Sequence, residues 1–209
     1  MYSNFETIND DRKKLILDAC IHEFAERGYE QASTNVMIRE AGISKGILFH
    51  YFKSKKGLFL YIVEYALRTL VEEYNKYSFQ TTGDIFRRLS ELSIIKLKIN
   101  QTYPKLSKLL VDALANSPED IHAEVERRYN QISQEYLPLF FQDIDYTKFR
   151  SGVDPAKAIE IIMLFIEALG NKYMKECQSI KNDWLENYDQ LLAEYNSYME
   201  ILKYGMYSN

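Results

Sequence analysis

The sequence predicts an all-α protein of about nine helices. Apolar residues recur at three- and four-residue steps along most of the 209-residue chain. Only 8 glycines and 4 prolines punctuate it, few for a sheet protein that must turn often. No segment reads convincingly as a strand.

The first helix is expected over 11–27, with Leu15, Ile16, Ala19, Cys20 and Phe24 on one face and Gly28 as its stop. Thr34 is placed to cap a short helix that Gly42 ends, and Ser44 to cap the next, "KGILFHYF". Ser54 caps a fourth, about 55–77, and the polar stretch "SFQTTGD" closes this part near residue 83. Further helices run from Asp84 to about Asn100 and from Pro104 to about Asn116. In "SPED", Ser117 reads as an N-cap with Pro118 at the first helical position, and that helix is expected to end or kink at Pro138. After a loop, Asp154-Pro155 opens a helix to about Cys177, and a last one spans about 182–204.

Charged residues make up 27 % and apolar ones 46 %, ordinary usage for a folded soluble chain. Cys20 and Cys177 lie far apart in helical patterns and suit core filling rather than a metal or disulfide framework. No transmembrane-length apolar run or signal-peptide core is present, so a cytoplasmic protein with no membrane partner is expected. The net charge of −4 hides an asymmetry. Residues 33–57 carry five basic side chains (Arg39, Lys45, Lys53, Lys55, Lys56) against the single acid Glu40, and the remainder 21 against 29. A local basic face can engage phosphates on an acidic protein because screening confines the interaction to about 8 Å at physiological salt.

Residues 34–52 follow helix-turn-helix grammar: a short helix, the turn "AGIS", and a second short helix. Such a second helix enters the major groove of DNA. Lys45 and His50 can donate to base acceptors, Ile47 and Phe49 can pack on thymine methyls, and Gly46 lets the backbone come close. Lys53 and Lys55 are expected at phosphates, setting register rather than sequence. Leu48 and Phe52 fall on the inner face as core, and Phe49 is open between packing and DNA.

"ILDACIHEFAERGYEQAST" followed by "EAGISKGILFHYFKSKKGL" resembles the N-terminal DNA-binding region of the TetR family of bacterial transcriptional regulators, over about residues 12–60. The resemblance implies a DNA-binding domain at 1–57, a fourth helix (55–77) linking the domains, and a ligand-binding and dimerisation domain at 58–209. It also implies a homodimer that leaves operator DNA when a small molecule binds. By position, it puts Thr34 and Asn35 on DNA from the first helix of the motif, Lys45, Gly46, Ile47, Phe49 and His50 in the groove, and Tyr51 and Lys55 on the backbone. Family members usually have Thr where Ile47 stands and often Tyr where Phe49 stands; both differences remove a hydroxyl and leave apolar contact.

In the C-terminal half, Ile159, Ile161, Ile162, Met163, Leu164, Phe165, Ile166 and Leu169 cover almost every face of one helix, so it meets more than one partner. Trp184, Tyr188, Leu191, Tyr195, Tyr198 and Leu202 step along the last helix as a seam. With Ile162, Phe165, Ile166 and Leu169 they form the expected dimer interface, the alternative being an intramolecular core. An unknown small-molecule ligand is expected among Phe86, Leu89, Tyr103, Leu110, Tyr129, Tyr136, Phe140 and Met163, residues that equally suit plain core. His122 beside Glu119 and Glu126 reads as a solvated helix start, not a metal site. No cofactor, catalytic or metal motif is present. The favoured function is a ligand-responsive DNA-binding repressor. The alternatives are a helical small-molecule binder or enzyme using the motif as scaffold, and a DNA-binding architectural protein without a ligand.

Overall fold

Caps and glycines set the N-terminal elements. The computed structural model describes residues 3–77, 83–179 and 188–205, and its regular elements are ten α-helices and one 3-10 turn. A four-residue helix α1 (Ser3–Glu6), absent from the nine expected, precedes α2 (Asp10–Gln31). The Asn9 side chain accepts from the Asp11 and Arg12 N–H groups to start α2. Gly28 leaves the helical conformation at φ 65°, as expected of a stop, but the chain resumes one further turn. There Asp112 comes close: a Cβ at position 28 would lie 3.0 Å from its Oδ2.

α3 (Thr34–Glu40) opens differently from the expectation. Ser33, not Thr34, holds the cap position, and its side chain makes no cap bond. The Glu23 carboxylate, reaching from α2, accepts the Ser33 N–H at 2.8 Å instead. Ala41 and Gly42 (φ 62°) then turn the chain into α4 (Lys45–Phe52), which Ser44 caps by accepting from the Ile47 N–H. α4 ends abruptly at Lys53 (φ 66°, ψ −43°), whose neighbours close a γ-turn from Ser54 N–H to the Phe52 carbonyl at 2.8 Å. α5 (Lys55–Lys76) starts at once, with Ser54 accepting from Gly57 N–H. Gly57 is required here: a Cβ would sit 2.2 Å from the Phe52 carbonyl oxygen.

The rest follows as α6 (Ile85–Thr102), α7 (Pro104–Asn116), α8 (Glu119–Phe141), α9 (Pro155–Ser179) and α10 (Tyr188–Tyr204). Asp84 and Asp154 cap α6 and α9 through the N–H groups of Phe86, Arg87 and Ala156. Ser117 does not cap α8: its hydroxyl is buried without a partner, and the Pro118 carbonyl accepts the first helical bonds. Nor does α8 end at Pro138. It continues to Phe141. Buried Arg88 then donates to the carbonyls of Phe140, Gln142 and Asp143 and satisfies the helix end.

The chain divides into two compact units, Met1–Glu72 with Tyr103–Gln134, and Glu73–Thr102 with Glu135–Asn209. In the first, Phe24, Met37, Leu48, Phe52, Phe59, Ile62, Leu109 and Ile121 are buried together with free Cys20. Desolvation pushes the Cys20 thiol up to about 12. Arg128 on α8 binds Glu64 on α5, and Lys56 reaches the Asp120 carbonyl at 2.7 Å. In the second unit, Ile85, Leu89, Ile144, Ile162 and Met199 form the buried cluster, with Phe86, Phe140, Phe165, Tyr195, Tyr198 and Leu202 packed against it. Lys172 on α9 meets Glu194 on α10 at 2.6 Å. Among the described residues, no helix is long and apolar enough to cross a membrane.

Candidate nucleic-acid interface

The helix-turn-helix sorts its side chains by face. Leu48 and Phe52 are buried, as their spacing predicts. Asn35, Lys45, Gly46, His50 and Lys53 are exposed, while Thr34, Ile47, Phe49 and Tyr51 are half-buried. Ile47 and Phe49 thus keep part of their apolar surface free, and Lys45 Nζ lies 6.0 Å from the Phe49 ring centroid. Lys53 folds back to donate to the His50 carbonyl at 3.0 Å, satisfying the end of α4 while remaining at the surface.

Two members of the expected set differ in their surroundings. Gly46 has helical geometry and open space: the nearest atom to a Cβ would be Ser44 Oγ, at 3.9 Å. Nothing inside the chain requires a glycine there. Lys55 is committed instead. Its ammonium donates to the Glu30 carbonyl at 3.0 Å and lies 4.9 Å from the Tyr29 ring centroid. Burial lowers its pKa against the opposing pull of Glu23 and Glu30. It closes the end of α2 with one of its three N–H donors, and a phosphate contact would fall to the others.

The residues expected at a ligand fall in both units. Tyr103, Leu110 and Tyr129 belong to the first, with Leu110 buried and Tyr129 exposed. Phe86, Leu89, Tyr136, Phe140 and Met163 belong to the second, where Leu89 is core and Phe86 and Phe140 pack on it. Phe86 also lines a cavity of about 610 Å³ in that unit. Ile85, Ile144, Ile162 and Leu202 give this cavity an apolar lining, and Lys148, Arg150, Lys157 and Lys203 stand around it. Lys148 is drawn to Asp84 at 3.4 Å, whereas Arg150 and Lys157 have no ion pair among the described residues. Spacing gave no signal for these cations, since they lie on a loop and at helix ends. Lys96 on α6 was likewise not singled out by the sequence. Its side chain is exposed.

The expected dimer residues are partly spent within the chain. Ile162 and Leu169 are buried, and Phe165, Ile166, Leu191, Tyr195, Tyr198 and Leu202 are half-buried. Among the described side chains of α9 and α10, the large apolar ones left outward are Ile161 (57 % exposed) and Leu164 (59 %) on α9, with Ile201 and Tyr204 on α10. An apolar-all-round helix does not reveal which stripe meets its own core. Trp184 and the Tyr188 side chain lie outside the described residues, as does the Cys177 side chain. His122 pairs with Glu126 at 3.3 Å, and no group of three or more metal-binding side chains occurs among the described residues.

Residues 16–62 match the family model described as bacterial regulatory proteins, tetR family. Over 199 residues the chain is 23 % identical to the fatty acid metabolism regulator protein of Bacillus subtilis, covering 92 % of this chain and 94 % of that one. The fold is similar to that of the fatty acid degradation regulator FadR from Bacillus halodurans, with a TM-score of 0.60, 21 % identity, and 97 % and 100 % of the two chains covered. It is also similar to FadR from Bacillus subtilis in complex with stearoyl-CoA, with a TM-score of 0.57, 20 % identity, and 93 % and 99 % covered.

Proposed function

From the premise that this chain is a TetR-family regulator, by its residues 16–62 and by its fold, we propose that it is a transcriptional repressor. It binds a palindromic operator as a homodimer and is released by a small molecule with an acyl chain and an anionic head. It is a regulator and not an enzyme.

One observation carries the DNA half of this reading. α4 buries Leu48 and Phe52 and turns Lys45, Gly46 and His50 outward, with a glycine that the fold itself does not need. A scaffold helix gains nothing from that glycine, which costs about 0.5–1 kcal/mol relative to alanine in a helix interior. Lys45, His50, Ile47 and Phe49 meet base edges, with Thr34 and Asn35 beside them. Tyr51 and Lys53 meet phosphates.

The ligand half draws on the second unit and on a relative. The fold-related Bacillus subtilis FadR was solved with stearoyl-CoA. In this chain, the apolar cavity beside Phe86 carries the uncommitted cations Arg150 and Lys157 at its rim, a match for an apolar tail with an anionic head. The outward stripe of Ile161, Leu164, Ile201 and Tyr204 is the surface offered to a second copy.

Gel shifts with the intergenic DNA upstream of the protein's own gene, with and without stearoyl-CoA, test both halves. The expected result is specific binding that micromolar stearoyl-CoA abolishes. Equal binding to random duplex would refute the repressor, and binding indifferent to acyl-CoAs would refute the ligand class. Sedimentation of the free protein tests the dimer, which a monomer at micromolar concentration would exclude.

A further inference from the structure

A four-residue helix has no stability of its own, since helix nucleation is unfavourable. Yet Phe5 in α1 is 0 % exposed. Its ring centroid lies 4.8 Å from that of Phe52 and 5.4 Å from that of Tyr51, both on α4, and 5.3 Å from that of Tyr61 on α5. Two polar ties hold the wedge in place. The Glu6 carboxylate accepts from Lys13 Nζ on α2 and from the Tyr61 hydroxyl. Lys13 Nζ also lies 5.8 Å from the Phe5 ring centroid.

Phe52 is already core, so a packing role alone would end with it. Tyr51 is different: it is half-buried, it faces exposed His50 at 5.5 Å between centroids, and Phe5 packs against its ring. We propose that α1 belongs to the DNA-reading apparatus, with Phe5 as a positioning residue that fixes Tyr51, and through it the phosphate contact that sets the register of α4. Removing the Phe5 ring leaves Tyr51 free to choose other rotamers, and its hydroxyl is then no longer held in one place before DNA arrives. Preorganisation of that kind is read as affinity.

This inference rests on the DNA-binding reading above, and the test separates the two. Fluorescence anisotropy at 15 °C measures binding of the intergenic duplex and of a random duplex to the full chain. The variants are Phe5→Ala, Phe5→Leu, Tyr51→Phe and the double variant Phe5→Ala/Tyr51→Phe, with circular dichroism confirming the folded state of each. Phe5→Ala is expected to weaken specific binding about tenfold, and Phe5→Leu to recover most of it. In the Tyr51→Phe background the same Phe5→Ala change is expected to cost at most about threefold, because the hydroxyl it positions is gone. Equal costs in both backgrounds, or a folded Phe5→Ala variant that binds as wild type does, overturn the proposal. Where Phe5→Ala does not fold, the smaller truncation Phe5→Val and the double variant Phe5→Val/Tyr51→Phe decide by the same comparison. A wild-type protein that prefers no duplex overturns the DNA-binding reading itself.

Discussion

Gly46→Ala separates what the fold needs from what DNA needs. The added methyl meets no protein atom closer than 3.9 Å, so it brings no steric cost. It restricts the unfolded chain and suits the helical backbone, worth about 0.4–1 kcal/mol in favour of the folded state. For a domain of this size that corresponds to a rise in Tm of about 1–4 °C. Against DNA the same methyl points outward from the first turn of α4, where the backbone approaches the groove. Separating α4 from the base edges sacrifices at least one good contact, about 1–3 kcal/mol, so affinity for the operator falls by a factor of about 5–140. Thermal melts by circular dichroism and anisotropy titrations read the two effects independently. A variant with a lower Tm, or with unchanged operator affinity, would refute the reasoning that the reason for this glycine lies outside the chain.

Lys53→Gly relieves the strained φ of 66° at the γ-turn and is expected to raise stability by about 1 kcal/mol, read in urea melts, while losing a phosphate contact. Lys53→Ala, which removes a phosphate contact, is expected to reduce the slope of log affinity against log salt by about 0.9; Lys55→Ala, which frees the Glu30 carbonyl, is expected to lower Tm and leave the slope nearly unchanged, and the reverse pattern would place Lys55 on a phosphate. Burial tends to raise the Glu6 pKa, but the bonds from Lys13 and Tyr61 outweigh it and hold it below the ordinary 4.5. Its stabilisation is therefore complete above about pH 4.5 and lost as pH falls through the folded value, so Glu6→Gln should flatten the acid slope of urea stability between pH 6 and 3. In a Cys177→Ser background, Cys20 is expected to resist Ellman's reagent at pH 8 until the protein unfolds, since burial pushes its thiol to about 12; rapid reaction of the native protein would contradict that.

The motif was legible because its signals are local. Ser44, Ser54, Gly42 and Asp154 act within three residues of themselves, and each does what its position announces. What escaped notice was long-range. Thr34 reads as a cap, but Ser33 holds that position, fixed by its own N–H donating to Glu23 ten residues earlier. Ser117 looked like a cap, but it is buried where its hydroxyl reaches nothing. α1 is too short for any period, and its order comes from the Phe5 ring meeting residues 46–56 positions away. On α9 the pattern marked an apolar helix but not the division by which Ile162 turns inward and Ile161 outward.

The corner between α4 and α5 bears on how such a protein can diverge. Only Lys53 and Ser54 separate the helices, one strained, the other a cap, and Gly57 is pressed against the Phe52 carbonyl. An inserted or deleted residue here would break the γ-turn and the Ser54 bond to Gly57 that fix the angle between α4 and α5. Lineages descending from this chain therefore have little freedom to lengthen the joint. Under the proposed repressor reading, new operator preferences arise instead by exchanging side chains at 45, 47, 49 and 50, while the hinge keeps its length.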